Sequence, residues 1–263
     1  MKSVAIACLA AVLVAFAALP THAAERLNDK QVKATLENID RGFDRWKDSL
    51  ERRNLDDAVI RNAAGTIEVR RFLDDFEKEI HQVKDRLKPD YAANPEVTQL
   101  LRRASDVERR AQASSAQPEW QAMATQFSAL AAAYGTSFPL PTADAAAARL
   151  TDRELASHVS DIEQQAKRLS SEGDKALKQA KASDVERNKA KQASSALAVS
   201  AKQTASMANA GTVNGTQAAS LLAAAGSAKG LLGGLPMSPA GAAALSGLNS
   251  SAGAVAKAFG LPW

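Results

Sequence analysis

Cysteine is almost missing: Cys8 is the single one in 263 residues. It lies in an uncharged, nearly wholly apolar run, Val4 to Leu19, which follows Lys2 and ends at Pro20. Lys2, this run and the small residues of Thr21-His22-Ala23 read as an export signal, residues 1–23, with cleavage after Ala23. The run is about as long as a signal core and shorter than the ~20 residues a membrane span needs. Cys8 comes too early in it to be a lipid-attached cleavage cysteine. The expected mature chain therefore holds no thiol, no disulfide and no Cys-ligated metal. Covalent haem, which needs Cys-x-x-Cys-His, is excluded with them.

Aromatic residues are scarce at 5%, and much of the 46% hydrophobic content is alanine. Alanine buries little area, so the core is expected to be thin wherever it replaces leucine. Period-two alternation is absent, which argues against any sheet. Acidic residues are lacking after Glu186, whereas Arg187, Lys189, Lys191, Lys202, Lys229 and Lys257 follow it. The positive excess (+4, pI ≈ 9.2) therefore belongs to the back of the chain.

Reactive constellations are missing as well. There is no Gly-x-Ser-x-Gly, no Walker loop and no Ser/His/Asp spacing that predicts an elbow or a triad. Past the signal only His81 and His158 remain. His81 shares a charged helix face with Glu77, Lys84 and Asp85. His158 is near Glu154 and Asp161, too few ligands for a metal by themselves. Met123 reads as packing, not as a haem ligand. Asp56-Asp57 and Asp74-Asp75 lie among basic residues and read as solvated faces. The sequence thus predicts no catalytic residue, no cofactor and no metal.

What is present is helical. In Leu27-Asn28-Asp29-Lys30-Gln31-Val32, Asn28 is placed to cap the first turn, Gln31 to reach back to it, and Leu27 to close over Val32. Val32, Leu36, Ile39, Phe43, Trp46 and Leu50 follow at alternating spacings of four and three, a narrow stripe of the coiled-coil kind. Asn54 then caps a short piece bearing Leu55, Val59 and Ile60. Thr66 starts a second long helix, with Val69, Phe72, Leu73, Phe76, Ile80, Val83 and Leu87 on one side and Pro89 as its stop. Asn94-Pro95 opens a third. Pro118 opens a fourth, with Trp120, Met123, Phe127, Leu130 and Tyr134, and Gly135 caps its end. Residues 24–135 are expected to form a four-helix bundle.

Phe138-Pro139-Leu140-Pro141 reads as a stiff connector over 136–149. The capped start then returns as Leu150-Thr151-Asp152-Arg153-Glu154-Leu155, and residues 150–209 read as a second helical segment, a candidate degenerate repeat. Leu155, Val159 and Ile162 repeat Val32, Leu36 and Ile39, whereas Ala166, Leu169 and Gly173 replace Phe43, Trp46 and Leu50. A second pair of words, Ser105-Asp106-Val107-Glu108-Arg109 and Ser183-Asp184-Val185-Glu186-Arg187, stands nearer its staple in the second part by about a helical hairpin. Duplication with deletion explains this, and so does chance among helix-friendly residues. From Asp174 to Asn209 the chain is rich in alanine and lysine. Such a helix is marginal alone and needs a partner surface, in this chain or another. Residues 210–263, with Gly226, Gly230 and Gly234 every fourth residue, read as a low-complexity tail, disordered or in short helices.

The expected fold is all-α: an antiparallel helical bundle, an alanine-rich helix and a low-complexity tail. The expected role is an exported, non-catalytic interaction or scaffold protein of a bacterial cell envelope, periplasmic or secreted, meeting a protein partner. Two alternatives stand beside it. One is a helical bundle that binds a ligand or metal. The other is a binder of anionic envelope surfaces through Lys167, Arg168, Lys175, Lys178 and Lys181. Without interleaved aromatics these residues do not suggest nucleic acid, and no membrane span is expected once the signal has gone.

Overall fold

A computed structural model describes residues 26–62, 65–111, 117–142 and 144–263. The expected signal, 1–23, lies outside these residues. Among them are eight helices: α1 (Asp29–Glu51), α2 (Val69–Arg86), α3 (Asn94–Ala111), α4 (Gln117–Ala133), α5 (Asp152–Gln179), α6 (Asp184–Asn209), α7 (Gly215–Leu232) and α8 (Pro239–Ala258). The all-α fold expected from periodicity is the fold observed.

α1 packs against α2 and α4, α2 against α3, and α3 against α4. Four helices joined in sequence thus close a ring, as antiparallel bundles do. The α1 stripe is its keel: Val32, Leu36, Ile39, Phe43, Trp46 and Leu50 are all buried. Phe43, Trp46, Phe76, Trp120 and Phe127 form a continuous set of edge-on, tilted and stacked rings at centroid separations of 5.2–6.5 Å. Such rings bury large area and add directional contacts.

Between α1 and α2 the chain departs from expectation. Asn54 does not cap a helix; it adopts φ 51, the left-handed conformation that ends α1. Leu55 N–H then bonds back to Leu50 O at 3.0 Å. Val59–Asn62 (β1) and Gly65–Glu68 (β2) follow as an antiparallel hairpin, so α2 starts at Val69 and not at Thr66. Val59 and Ile60 are adjacent β-branched residues near a glycine. Such a stretch favours extended backbone when it is too short to nucleate a helix.

The prolines of 138–141 do exclude a helix, but the segment is no free spacer. Phe138 stacks on Phe127 at 5.5 Å. Leu140 N–H donates to Ser105 Oγ, Ala147 N–H to Thr98 Oγ1 and Arg149 N–H to Asn94 Oδ1, each at 2.9 Å. The connector is therefore laced along α3, where these side chains satisfy backbone groups that a sheet or helix would otherwise pair.

The back of the chain builds a second ring: α5 packs against α6 and α8, α6 against α7, and α7 against α8. This corrects the low-complexity tail. Residues 215–232 and 239–258 are two full helices, capped by Asn214 with Gln217 and by Ser238 before Pro239. Their buried faces, with Leu221, Leu222, Ala225, Ala228, Leu232, Ala244, Leu248, Ala252 and Val255, join those of α5 and α6 in one core. No single one of these faces buries enough to hold a helix. Four together do, because small residues let the backbones approach closely and stabilise one another.

Gly173 shows how the lost bulk is recovered. It occupies the α5 position that Leu50 fills in α1, and Leu232 of α7 fills the space instead. A Cβ on Gly173 would meet Leu232 Cδ2 at 2.7 Å. The surface that this alanine-rich helix needs is thus supplied within the chain. The Ser105 and Ser183 words occupy unlike places. Ser105 is buried in mid-α3 and donates to Leu101 O. Ser183 is the exposed N-cap of α6, its hydroxyl accepting from Glu186 N–H.

Candidate functional site

The two capped starts meet. Asn28 and Thr151 each make the full capping box, with Gln31 and Glu154 reaching back. The residues beside the caps are exchanged between the two helices. Asp29 N–H donates to Asp152 Oδ2 at 2.9 Å, and Asp152 N–H donates to Asp29 Oδ2 at 3.1 Å. Each carboxylate thus sits at the positive end of the other helix, where a negative charge is favoured.

Two buried arginines complete the exchange. Arg26 donates to Asp152 Oδ1 at 2.7 Å and to Leu150 O at 2.8 Å. Arg149 donates to Asp29 Oδ1 at 2.5 Å and to Leu27 O at 3.1 Å. Arg26 lies over the Phe259 ring and Arg149 over the Tyr134 ring, both at 5.9 Å. Tyr134 and Phe259 close α4 and α8, each followed by a left-handed glycine, Gly135 at φ 67 and Gly260 at φ 62. The pattern is reciprocal: one half's arginine grips the other half's aspartate and the carbonyl just before its cap, and lies over its terminal aromatic ring.

Burial, followed by the like charge of Arg149, lowers the Arg26 pKa, against the opposing pull of Asp152. Burial also pushes the Tyr134 hydroxyl well up. Tyr134 O–H donates to Ala92 O at 2.6 Å, which fixes the ring under Arg149. A third contact ties the turn after α6 into the junction. Asn28 Nδ2 donates to Gly211 O at 3.0 Å, and a Cβ at Gly211 would lie 3.0 Å from Asp152 Oδ2. The charges of this junction balance, two arginines against two aspartates, while Arg26 Nε and Arg149 Nε and Nη1 lie buried in it without a hydrogen-bond partner.

The residues singled out in the sequence lie elsewhere. Lys167, Arg168, Lys175, Lys178 and Lys181 are all exposed along α5 and the turn after it. Lys167 pairs with Glu163, Lys175 with Glu172 and Lys178 with Asp174, at 2.5–2.7 Å on the same helix. Three of the five charges are thus matched locally. His81 is exposed and 3.3 Å from Asp40, while Asp40 is engaged by Lys84 at 2.5 Å. His158 is half-buried on α5. Asp56 and Asp57 both pair with Arg70, at 2.7 and 2.9 Å. Among the described residues no group of three or more His, Cys, Asp or Glu is arranged to hold a metal ion, and no helix is long and apolar enough to cross a membrane.

A cavity of about 320 Å³ opens between α1 and α4, lined by Asn38, Arg41, Gly42, Arg45, Ala122, Met123 and Gln126. Met123, expected to be packing, is buried and forms part of the floor. Sequence reading did not single out Arg41, Arg45, Arg26 or Arg149. Arg26 and Arg149 were accessible through the 123-residue offset that relates Asp29 to Asp152, since the repeated stretch extends one residue outward from each staple leucine. Arg41 and Arg45 carried no such mark among the other charges of α1.

The chain matches no known family model, no curated protein and no solved structure.

Proposed function

We propose that the protein is an exported, non-catalytic helical scaffold of a bacterial cell envelope, which presents two bundles at a fixed angle to a protein partner. The observation that carries this reading is the reciprocal Arg26–Asp152 and Arg149–Asp29 junction. Buried charge pairs contribute little net stability compared with apolar packing of the same volume. Their strength is directional, since a misaligned pair leaves charges buried without partners. A junction of this kind suits a protein whose task depends on holding two surfaces in one orientation. Export is supported by the Lys2, Val4–Leu19 and Ala23 pattern of the sequence.

The pairing of Lys167, Lys175 and Lys178 with carboxylates leaves the anionic-surface reading with less support, because a locally neutralised face attracts an anionic surface weakly. The ligand-binding reading has the α1/α4 cavity in its favour.

Crosslinking in the intact envelope tests the scaffold reading. A defined protein partner should be captured by the native chain, and its yield should fall when the junction is broken by Arg149→Met. Capture that is indifferent to the junction would count against a role for fixed orientation. Repeated absence of any defined partner would remove the reading.

A further inference from the structure

The geometry points to the α1/α4 cavity as a binding site for a carboxylate-bearing ligand, held by Arg41 and Arg45 with Asn38 and Gln126. Arg41 and Arg45 are one helical turn apart on the same face of α1, so both guanidinium groups overlook one hollow. Neither makes an ion pair among the described residues, although their neighbours do. Glu37 and Asp40 turn to Lys84 of α2, and Lys47 turns to Glu77. Two like charges are thus left side by side at the mouth of a groove while Glu37 and Asp40 of the same helix are used elsewhere.

The polar groups are also polarised in one sense. Arg41 donates to Asn38 Oδ1 at 2.7 Å. Asn38 Nδ2 in turn points to Gln126 Oε1 at 3.5 Å, the outer limit of a hydrogen bond. Each amide oxygen therefore already faces one donor within the site. What remains for a ligand is mainly donors: the rest of the Arg41 fork, the whole Arg45 fork and the Gln126 amide nitrogen. A site whose only charged groups are two planar cations selects an oxyanion, and the fork geometry matches a carboxylate.

The space is kept open by small residues. Gly42 is buried between the two arginines, and Ala122 is the facing residue on α4. A Cβ on Gly42 would lie 3.5 Å from Met123 Cβ and Cγ, an ordinary contact. Helix packing therefore does not demand glycine here. The inference does not depend on the scaffold reading, and the site serves equally a free organic acid or an acidic side chain of a bound polypeptide.

Titration calorimetry of the full purified chain at low ionic strength tests it, with succinate, a terminally blocked glutamate peptide and inorganic phosphate as probes. Saturable binding of succinate or of the peptide is expected, and which of the two binds identifies the source of the carboxylate. Affinity should fall about tenfold or more in Arg41→Gln/Arg45→Gln, the loss expected when charge-assisted hydrogen bonds are removed. It should also fall in Ala122→Leu, which blocks the hollow and leaves both charges. Lys167→Gln, on an exposed face of α5, should bind as the native chain does. Unchanged melting of each variant establishes that it is folded. Three results would overturn the proposal: no saturable carboxylate binding, binding that survives the double variant, or phosphate bound more tightly than either carboxylate.

Discussion

Arg149→Met removes one guanidinium from the junction and keeps most of the aliphatic volume. In the native chain this side chain is 1% exposed, and its partner Asp29 is 22% exposed. The substitution leaves Asp29 with the Asp152 N–H at 3.1 Å and no ion-paired cation, Arg26 acting on it only from further away. It also leaves Leu27 O without its 3.1 Å donor. Orphaning one member of a fully buried pair costs about 3–5 kcal/mol. Partial exposure of Asp29 lets water recover some of this, so a loss of about 2–4 kcal/mol is expected. Urea unfolding followed by two probes measures it. In a Trp263→Phe background, which removes the tryptophan beside α8, the buried Trp46 and Trp120 report the α1–α4 core, whereas far-ultraviolet circular dichroism reports both halves. Loss of the junction should lower the midpoint and separate the two transitions. Asp29→Asn added to Arg149→Met should cost less than the sum of the two single changes, since the second change removes the stranded charge. A loss below about 0.5 kcal/mol, within the range of ordinary surface substitutions, or strict additivity would refute the argument that this pair couples the halves.

Gly173→Leu should destabilise the α5–α8 core by about 1–3 kcal/mol through overpacking against Leu232, and adding Leu232→Ala should restore part of the urea midpoint. Gly42→Ala should stabilise α1 by about 0.5–1 kcal/mol, read as a raised melting temperature, since its Cβ meets Met123 only at 3.5 Å. In acid, Glu172, Asp174 and Glu186 should weaken the second half. Hydrogen bonds from Lys175, Lys178 and Ser183 respectively hold their pKa values below the ordinary 4.5 for glutamate and 3.8 for aspartate. Their stabilisation is present above those unfolded values and lost as pH falls through the depressed folded ones. Urea midpoints from pH 6 downward should therefore drop on the acid side in native protein, and less steeply in Lys175→Gln/Lys178→Gln.

The chain's local chemistry is plain in its residues. Asn28 with Gln31 and Thr151 with Glu154 mark helix starts because capping is settled within four residues. The α1 stripe and the left-handed Gly135 were readable for the same reason. The hairpin at Val59–Glu68 was less so, since short β-branched stretches carry no period long enough to separate strand from helix. Periodicity also failed for α7 and α8: where nearly every residue is Ala, Gly, Ser or Leu, no face stands out until a neighbour selects one.

By itself, then, the sequence determined where α1, α3, α4 and α5 begin and which face of α1 is buried, because those depend on contacts between residues a few positions apart. Only the tertiary structure decided that Leu232 fills the place left at Gly173. Only it decided that Asp29 and Asp152 serve each other's helices, and that Arg41 and Arg45 overlook an open groove. Each of these joins residues far apart in the chain, where hydrogen-bond direction and packing volume have meaning only after the helices have met.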